Sequence, residues 1–461
     1  MASHKDSQVA VVMVPLPAQG HLNQLLHLSC RLVSAANLPV YYIGSATHIR
    51  QAKLRAHSLV SNNIKFHEFQ TPSFENPEPN PNAQFKFPSQ LFPSITSSIN
   101  LRAPVFAFLN DLSTKYKRIV VIYDSLMAYV VQDIDSIQNA DSYCFVSISA
   151  VALYFFTWQV AGRPDLPDEK ARSILNEIPS LDGTFPTEFG EFMSLQRESR
   201  KNDAGNIHNS SRLIEGMFLD LVDEARKNET GKQFVIGPFN PVEINSSRIA
   251  RHKCLDWLDR QGSNSVIFIS FGTTSSISDE QIIELAVGLE KSEQKFIWVL
   301  READKGDIFS GETRKPILPD GFEGRVKRRG IVVREWAPQL EILGHFATGG
   351  FMSHCGWNSC MESISMGVPI ATWPMHSDQP MNAVLVTKLL KVGVEVQDWA
   401  CRDEVVSSGV VERAVRKLMD SEEGDEMRKR AKELGDSVKK SVMKGGISSD
   451  EMDSFISDIT R

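Results

Sequence analysis

Short apolar stretches alternate with helical patterns along most of the chain. The first stretch is the β-branched run at residues 9–14, and a helical pattern with an apolar face follows at about residues 21–36. Further strands are predicted at residues 39–43 and 118–123. Strands that alternate with helices form a parallel sheet covered on both faces. The first half of the chain is therefore predicted to be a doubly wound α/β domain.

The same alternation restarts in the second half. Strands are predicted at residues 265–271, 296–300, 347–354 and 369–373, with a helix at residues 279–292. This pattern predicts a second doubly wound domain. The fold class is therefore predicted to be α/β with two such domains.

Turn-forming residues mark where the two halves join. Residues 237–241, which include two prolines, and the polar stretch up to His252 separate the two patterns. Ser448-x-x-Glu451 is typical of a capping box that opens a last short helix. We therefore expect an N-terminal domain at residues 1–241, a linker at 242–252, a C-terminal domain at 253–443, and a final helix at 444–461 that packs back on the N-terminal domain.

Composition and charge narrow the classes of protein. The 461 residues are 42% hydrophobic and 23% charged, as in globular proteins, and the net charge of −7 argues against a nucleic-acid surface. Six cysteines without a Cys-x-x-Cys pair favour a reducing compartment. The apolar run at residues 150–156 is too short to span a membrane, and Asp6 beside the run at 9–16 argues against a signal peptide. We expect a cytoplasmic monomer.

The segment at residues 336–379 contains the residue types that a phosphate site needs. Its predicted strand ends at His354, Gly356 permits a tight turn, and Asn358 and Ser359 are favoured caps for the helix that follows. Free N–H groups and the positive end of the helix dipole can hold a diphosphate there. The C-terminal edge of the strands is also where open α/β sheets bind ligands. Six residues alone, however, are more typical of an ordinary strand-to-helix turn.

Further residues of this segment suit the rest of a nucleotide sugar. Glu362 lies four residues after Asn358, on the same face of the helix, and its carboxylate can accept two hydrogen bonds from a ribose diol. Trp336 offers a flat ring for a base. Asp378 and Gln379 can bind sugar hydroxyls. Together these residues predict a site for a nucleotide sugar.

As a whole, the segment 336–379 closely resembles the signature box of plant UDP-dependent glycosyltransferases. The match holds at Trp336, at His354-Cys355-Gly356-Trp357-Asn358-Ser359, at Glu362 and at Asp378-Gln379. The resemblance extends over the full chain and is greatest to the zeatin O-glucosyl- and O-xylosyltransferases, as residues 17–24 and 303–309 indicate. It implies the GT-B fold, in which two Rossmann-like domains face each other across a cleft and the C-terminal domain binds the donor.

The resemblance also implies a role for each matching residue. Trp336 would stack on uracil beside Ala337 and Gln339, and Glu362 would bind the ribose. The diphosphate would be held by His354, Asn358, Ser359 and Thr273, and the sugar by Trp357, Asp378 and Gln379. Gln379 is similar to the residue found in glucose users, yet one residue does not decide between UDP-glucose and UDP-xylose. The family implies no metal and no cofactor other than this co-substrate.

His21 and Asp124 are the candidate catalytic residues. Each follows a predicted strand of the first domain, so both lie at the same edge of one sheet. A histidine there can act as a general base, and an aspartate is the usual group that orients the imidazole. On the sequence alone, a lone histidine near a helix start is more often structural. The resemblance implies that His21 is the base and Asp124 its partner.

The implied reaction is a direct displacement. His21 would deprotonate an acceptor hydroxyl, whose oxygen would attack C1 of the sugar and invert its configuration. Many plant members have proline where this chain has Gln24, a departure shared with the zeatin branch that argues against a generic flavonoid acceptor. We therefore expect transfer of glucose, or xylose, to a zeatin-type cytokinin. A phenolic, flavonoid or terpenoid acceptor stays open, and a non-catalytic UDP-sugar-binding protein is the alternative class.

The acceptor site is predicted by position only. Its walls are expected at residues 85–92, 126–129, 147–158 and 185–192, and the loop with six prolines at residues 72–93 is expected to line the cleft. No residue type there identifies the acceptor.

Two patterns resemble metal sites. Asp133-Ile134-Asp135 follows a helical run without a glycine-rich turn, and His354, Cys355 and Cys360 lack a fourth ligand. No metal site is predicted.

Overall fold

The computed structural model describes residues 8–55, 63–83, 86–166, 168–181, 185–200, 203–226, 231–244 and 251–461. Within these residues the chain forms two parallel β-sheets. The first consists of β1 (Val9–Val14), β2 (Val40–Ser45), β3 (Ile64–Phe69), β4 (Arg118–Asp124), β5 (Ala140–Val146), β6 (Gly205–His208) and β7 (Lys232–Val235). The second consists of β8 (Val266–Ser270), β9 (Lys295–Val299), β10 (Gly330–Val333), β11 (Thr348–Ser353), β12 (Ile370–Thr372) and β13 (Gly393–Glu395).

Helices connect the strands of both sheets. Those of the first half are α1 (Gln19–Ala36), α2 (Ala46–Arg55), α3 (Phe92–Ser97), α4 (Arg102–Ser113), α5 (Ala128–Val131), α6 (Ala150–Val160), α7 (Glu169–Glu177), α8 (Thr187–Ser199) and α9 (Arg212–Ala225). Those of the second half are α10 (Lys253–Leu258), α11 (Asp279–Ser292), α12 (Phe322–Val326), α13 (Gln339–Leu343), α14 (Trp357–Met366), α15 (Gln379–Val384), α16 (Ser408–Met419), α17 (Glu422–Ser441) and α18 (Ile447–Ile459). A π-helical turn, Leu385–Leu389, continues α15, and single 3-10 turns lie at Ser89–Leu91, Ser98–Leu101, Ser125–Met127, Ile134–Ser136 and Trp399–Cys401.

The strand order identifies the architecture. Over the described residues the order is β3-β2-β1-β4-β5-β6-β7 in the first sheet and β10-β9-β8-β11-β12-β13 in the second. Both contain the 3-2-1-4-5-6 order of doubly wound folds. Val11 and Met13 of β1 belong to one apolar cluster, whereas Val12 and Val14 belong to another, because successive side chains of a strand point to opposite faces. The predicted pair of doubly wound α/β domains is confirmed.

Strand register brings distant residues to the same edges. β1 and β4 pair from Val9 opposite Arg118 to Val14 opposite Tyr123, so the segments that follow them start side by side. In the second sheet, Ser270 of β8 lies opposite Ser353 of β11. The turns after these four strands therefore supply the residues at the two facing edges.

The end of the chain packs against the first sheet. The Phe455 ring of α18 lies 5.4 Å from Tyr143 and 5.0 Å from Phe234, between ring centroids.

The prediction that Ser448 and Glu451 form a capping box is wrong. Helix α18 begins at Ile447 with Gly446 as its N-cap and has no side-chain cap. Ser448 is already inside the helix, where its Oγ lies 3.2 Å from Ser441 Oγ.

The proline-rich loop is irregular, as its composition predicts. Its described residues 72–83 and 86–88 contain neither helix nor strand, whereas residues 89–93 form a 3-10 turn and the start of α3, so the irregular part ends earlier than predicted. Asn76 Nδ2 donates to the Asp307 carbonyl oxygen at 3.2 Å, and the Asp307 N–H donates to Asn76 Oδ1 at 2.9 Å. The loop therefore contacts the second domain. Residues 245–250 of the expected linker lie outside the described residues.

Candidate active site

A hydrogen-bonded histidine–aspartate pair lies at the edge of the first sheet. His21 is in the first turn of α1, and Asp124 is the last residue of β4. His21 Nδ1 is 2.6 Å from Asp124 Oδ2, and Asp124 is fully buried, whereas 24% of the His21 side chain is exposed. Asp124 Oδ1 accepts from the Leu126 N–H at 3.0 Å. Because a carboxylate only accepts, Nδ1 carries the proton, and Nε2 is the basic nitrogen of the neutral ring.

The protonation of His21 depends on two aspartates. Burial alone would lower the pKa of His21, but the charge of Asp124, its hydrogen bond and the smaller effect of the charge of Asp378 raise this pKa above its usual value. Asp378 precedes α15 of the second domain. Its charge therefore acts on His21 across the cleft between the two domains.

Asn382 connects the two sides of this cleft. Its Nδ2 donates to Asp378 Oδ2 and to the Cys355 carbonyl oxygen, both at 2.9 Å, and its Oδ1 accepts from Ser149 Oγ of the first domain at 2.6 Å. Burial raises the pKa of Asp378, and the hydrogen bond from Asn382 opposes this increase. Sequence reasoning missed Asn382; its spacing of one helical turn from Asp378 was the only available signal.

Helix α14 begins without a side-chain cap. Its N-cap is Gly356, and Asn358 and Ser359 lie inside its first turn, so the prediction that they cap it is wrong. Asn358 Nδ2 instead donates to Glu362 Oε1 at 3.0 Å, and Ser359 Oγ accepts from Gln339 Nε2 at 3.0 Å. Without a side-chain cap, the N–H groups and the positive dipole end of this helix are available to an anion.

His354 lies beside this helix start, between two glycines. A Cβ added to Gly272 would come within 2.6 Å of the His354 ring, and one added to Gly356 within 2.6 Å of its Nε2. Burial lowers the pKa of His354 to about 4, so the ring is neutral at pH 7. Its buried Nδ1 has no hydrogen-bond partner among the described residues. A buried polar atom without a partner is costly, and this one lies where a ligand at the helix start could bind to it.

Glu362 is a buried carboxyl group one turn further along α14. Its Oε2 accepts from Gln339 Nε2 at 2.8 Å, and its Oε1 accepts from Asn358 Nδ2 at 3.0 Å. Burial raises the pKa of Glu362 to about 7, and these two hydrogen bonds oppose the increase. Each oxygen of the ionised group can accept a further hydrogen bond. The group can therefore accept from two hydroxyls.

Three predicted donor-binding residues remain, namely Thr273, Trp336 and Ala337. Thr273 follows Gly272 after β8, and its carbonyl oxygen accepts from the Asp304 N–H at 2.7 Å. Ala337 is buried beside Trp336. The Trp336 ring has the Arg55 guanidinium of the first domain over it, with Cζ 4.5 Å from the ring centroid.

Trp357 and Gln379, which are predicted to bind the sugar, make contacts within the protein, as Asp378 does. Trp357 is buried, and its Nε1 donates to the Asn209 carbonyl oxygen of the first domain at 2.9 Å. Gln379 Oε1 accepts from the N–H groups of Met375 and His376 at 2.8 and 3.0 Å. The indole N–H of Trp357 therefore connects the domains. Gln379 Nε2 lies 3.3 and 3.2 Å from Nδ1 and Nε2 of His376, so its amide group contacts that ring.

Aromatic side chains cluster where three of the expected acceptor walls meet. The Phe87 ring lies 4.7 Å from Phe189, 5.9 Å from Phe185 and 6.4 Å from His376 of the second domain, between centroids. Phe156 lies 6.2 Å from Phe185. Phe85, which was also expected there, lies outside the described residues.

The described part of the chain contains no group of three or more His, Cys, Asp or Glu side chains that could hold a metal ion. Asp133 accepts from Arg102 at two points, Nε at 2.7 Å and Nη2 at 2.8 Å, which neutralises its carboxylate. In the same residues, no helix has both the length and the apolar character needed to cross a membrane.

Known proteins that resemble this chain over its whole length are glycosyltransferases. A glycosyltransferase N-terminal domain model matches residues 7–241, and the family model described as UDP-glucoronosyl and UDP-glucosyl transferase matches residues 243–428. The zeatin O-glucosyltransferase of Phaseolus lunatus is 54% identical over 99% of this chain and 98% of its own. The zeatin O-xylosyltransferase of Phaseolus vulgaris is 52% identical over 100% of both chains.

A solved structure has the same architecture. Phytolacca americana UGT2, complexed with UDP-2fluoro-glucose and pterostilbene, has a TM-score of 0.76 and 26% identity and covers 98% of this chain and 100% of its own. Two facing doubly wound domains of this kind are the GT-B fold, as predicted. The chain therefore belongs to the UDP-glucuronosyl and UDP-glucosyl transferase family and is a UDP-sugar-dependent glycosyltransferase.

Proposed function

We propose that the enzyme is an inverting O-glycosyltransferase that transfers glucose from UDP-glucose to a hydroxyl of a zeatin-type cytokinin. The observation that carries the proposal is the hydrogen-bonded pair of His21 and Asp124, whose histidine is also influenced by the charge of Asp378 of the second domain. An acceptor hydroxyl at His21 would meet the sugar of a donor bound at Asp378. A UDP-sugar-binding protein without activity would need no such pair.

The pair suits the removal of a proton from the acceptor. His21 Nε2 takes the hydroxyl proton while the acceptor oxygen forms a bond to C1 of the sugar. The bond from C1 to the diphosphate oxygen breaks on the opposite side, so an α-linked donor gives a β-glucoside. Asp124 keeps the Nδ1 proton in place and stabilises the imidazolium that forms. General base catalysis of this kind contributes roughly 10²–10⁴-fold to the rate.

The departing UDP needs groups that stabilise its negative charge. The uncapped start of α14 and the unpaired Nδ1 of His354 support a diphosphate site there. We assign the diphosphate to His354, Asn358, Ser359 and Thr273. The α14 helix dipole and its N–H groups act on the oxygen that leaves C1.

The other donor contacts follow along the same segment. We assign uracil to Trp336, with Ala337 and Gln339 beside it, and the ribose diol to Glu362. The buried carboxyl group of Glu362, held by two amide donors, supports its assignment. Asp378 and Gln379 bind the sugar hydroxyls, and Trp357 supports them from the domain contact.

The acceptor assignment is supported by two observations. Two relatives, at 54% and 52% identity, are named for the transfer of glucose and xylose to zeatin. The aromatic cluster of Phe87, Phe185 and Phe189 offers flat apolar surfaces of the kind that pack against a planar ring. UDP-xylose is the second candidate donor because of the xylosyltransferase relative.

Purified protein should be incubated with UDP-glucose or UDP-xylose and with trans-zeatin or a phenol, and UDP release and product mass measured. We expect the highest kcat/KM for UDP-glucose with zeatin and a β-linked product by NMR. A higher kcat/KM with the phenol would mean that the acceptor is phenolic rather than zeatin. A higher kcat/KM with UDP-xylose would mean that UDP-xylose is the donor. Tight UDP binding without turnover would favour the non-catalytic alternative.

We also propose that the enzyme is a cytoplasmic monomer that needs no metal, with domains at residues 1–241 and 253–443. None of the six cysteines, all of which lie in the described part of the chain, forms a disulfide, which suits a reducing compartment. Light scattering tests the monomer, a tagged chain tests the compartment, and activity after EDTA treatment tests the metal. Loss of activity with EDTA that Mg²⁺ or Mn²⁺ restores would contradict the last point.

A further inference from the structure

Arg55, the last residue of α2, reaches across the cleft to the second domain. Its Nη1 and Nη2 donate to Oδ2 and Oδ1 of Asp304 at 2.6 and 2.9 Å, and Nη1 also donates to Gln19 Oε1 at 3.0 Å. Only 9% of the Arg55 side chain and 5% of the Asp304 side chain are exposed. Pairing at two points fixes the plane of a guanidinium. Arg55 is therefore a fixed, buried part of the domain contact.

This guanidinium lies over the Trp336 ring. Arg55 Cζ is 4.5 Å from the ring centroid, whereas Cζ of Arg301, which also bonds to Asp304, is 6.0 Å away. The Arg55 distance is well within the range of cation–π attraction. Trp336 is the ring to which we assign uracil. A side chain of the N-terminal domain therefore lies at the base site of the C-terminal domain.

The charges beside Trp336 do not cancel. Asp304 is paired with both Arg55 and Arg301, so two cations share one carboxylate. Burial on its own would raise the pKa of Asp304, but the two arginines lower it and keep the group ionised. The neighbouring cation Lys305 has its own acidic partner, Glu78. The group of Arg55, Asp304 and Arg301 is left with an excess positive charge, which attracts a nucleoside diphosphate.

We propose that Arg55 is a nucleotide-positioning residue, whose guanidinium holds the Trp336 base site from the N-terminal domain and stabilises bound UDP-sugar by stacking and by charge. The inference rests on the proposed donor site at Trp336. Gln19, which accepts from Arg55, is two residues before His21 on α1. The same contacts therefore link the nucleotide site to the helix that carries the base. Since Arg55 lies at the base site, its effect falls on nucleotide affinity rather than on turnover.

The opposite arrangement is that Arg55 takes the place of uracil and leaves when UDP binds. Its departure would break three buried hydrogen bonds, to Asp304 and Gln19. It would also remove positive charge from the approaching diphosphate. Both costs favour the arrangement in which Arg55 stays in place and supports UDP binding over the one in which it competes with uracil. The two arrangements predict opposite signs, because truncation of Arg55 weakens UDP binding in the first and strengthens it in the second.

The test is the binding of UDP alone to the full chain, measured by calorimetry for the wild type, Arg55→Ala, Arg55→Lys and Lys53→Ala. Lys53 is the matched control, because it lies on the same helix, is 45% exposed and pairs with Glu68 on the surface. We expect the Kd for UDP to rise about tenfold in Arg55→Ala and about threefold in Arg55→Lys, which keeps the charge but loses the planar fork. Lys53→Ala should change it less than about twofold.

Steady-state kinetics give a second measurement. In the Arg55 variants the KM for UDP-glucose should rise with the Kd, while kcat at saturating donor stays within about threefold of wild type. A general loss of folded protein would lower kcat instead. An unchanged or smaller Kd overturns the inference, and Arg55→Lys decides alone if Arg55→Ala does not fold.

Two more variants separate this inference from the donor site itself. Trp336→Ala and Glu362→Gln should both bind UDP weakly. If they bind UDP as wild type does, the proposed donor site is wrong. If they lose UDP while the Arg55 variants retain wild-type affinity, only the role of Arg55 is wrong.

Discussion

His21 Nδ1 lies 2.6 Å from Asp124 Oδ2, although 103 residues separate the two along the chain. The contact follows from topology, because β1 and β4 are parallel neighbours in register and both segments leave the sheet at the same edge. Asp124 is fully buried, and its charge raises the pKa of His21 against the effect of burial. The pH dependence of transfer should therefore report on this contact.

Replacement of Asp124 by asparagine should shift the pH profile to lower pH. His21 acts as a base only when neutral, so kcat/KM should rise with pH through a pKa that lies above the usual value of 6.5. Asparagine removes the charge and leaves burial, which lowers that pKa. The profile measured from pH 5 to 9 should shift to lower pH. Its plateau value of kcat/KM should fall about 10²-fold, because the imidazolium that forms loses its charged partner.

Asp135→Asn is the matched control for this variant, since Asp135 is exposed in a 3-10 turn of the same domain. It should leave the profile unchanged. A profile of Asp124→Asn that coincides with wild type would contradict the assigned role of Asp124.

UDP binding should be coupled to the ionisation of Glu362. Burial raises the pKa of Glu362 to about 7, and the proposed ribose contacts require the carboxylate. Affinity should therefore rise as pH increases through about 7, with release of a proton on binding. Calorimetry in buffers of different ionisation enthalpy measures this release. In Glu362→Gln the affinity should be lower, and the proton release near pH 7 should be smaller than in wild type.

The UDP phosphates can also release protons on binding, but they do so equally with both proteins. The difference between wild type and Glu362→Gln therefore reports on Glu362 alone. Equal proton release in wild type and Glu362→Gln would contradict the ribose contact. So would unchanged affinity in the variant.

The two glycines beside His354 should be required for UDP binding. A Cβ at Gly272 or Gly356 would come within 2.6 Å of the ring, and Gly272 has a φ of +75°, which side chains rarely adopt. Gly356→Ala should displace the ring and lower UDP affinity about tenfold, or roughly 1.4 kcal/mol. Gly324→Ala is the control, since nothing lies within 4 Å of its added Cβ. Wild-type affinity in Gly356→Ala would contradict the phosphate role of His354.

Trp357→Phe should affect stability more than donor use. The substitution removes the indole N–H that donates to the Asn209 carbonyl oxygen, a buried contact between the domains. An unpaired buried acceptor costs about 1–3 kcal/mol, so the melting temperature should fall. KM for UDP-glucose should stay within about threefold of wild type. An unchanged melting temperature with a large rise in KM would instead indicate a direct contact of the ring with the sugar.

Much of the fold could be predicted because periodic burial leaves a local signal. The sequence pattern predicts the bounds of β1 and α11 to the residue and those of β2, β4, β8, β9, β11 and β12 to within two residues, whereas it does not predict β3, β5, β6, β7, β10 and β13. The proximity of His21 and Asp124 could also be anticipated, since strand ends of a parallel sheet share an edge. Helix starts were harder. Ser448 and Ser359 are predicted to cap helices, but the Ser448 hydroxyl contacts Ser441 and the Ser359 hydroxyl accepts from Gln339.

Contacts between the domains could not be predicted from local pattern. Arg55 and Asp304 are 249 residues apart, and Ser149 and Asn382 are 233 apart. Neither residue of either pair has a neighbouring motif that points to its partner. Such contacts depend on how two separately formed sheets face each other, which no periodicity records.

The central claim, that His21 is the base of a UDP-glucose-dependent transfer, is tested most directly by UDP release from His21→Ala with trans-zeatin as acceptor. UDP affinity should remain within about twofold of wild type, because His21 lies outside the donor segment. Turnover should fall by roughly 10²–10⁴-fold. Turnover within a few-fold of wild type, at unchanged UDP affinity, would contradict the account.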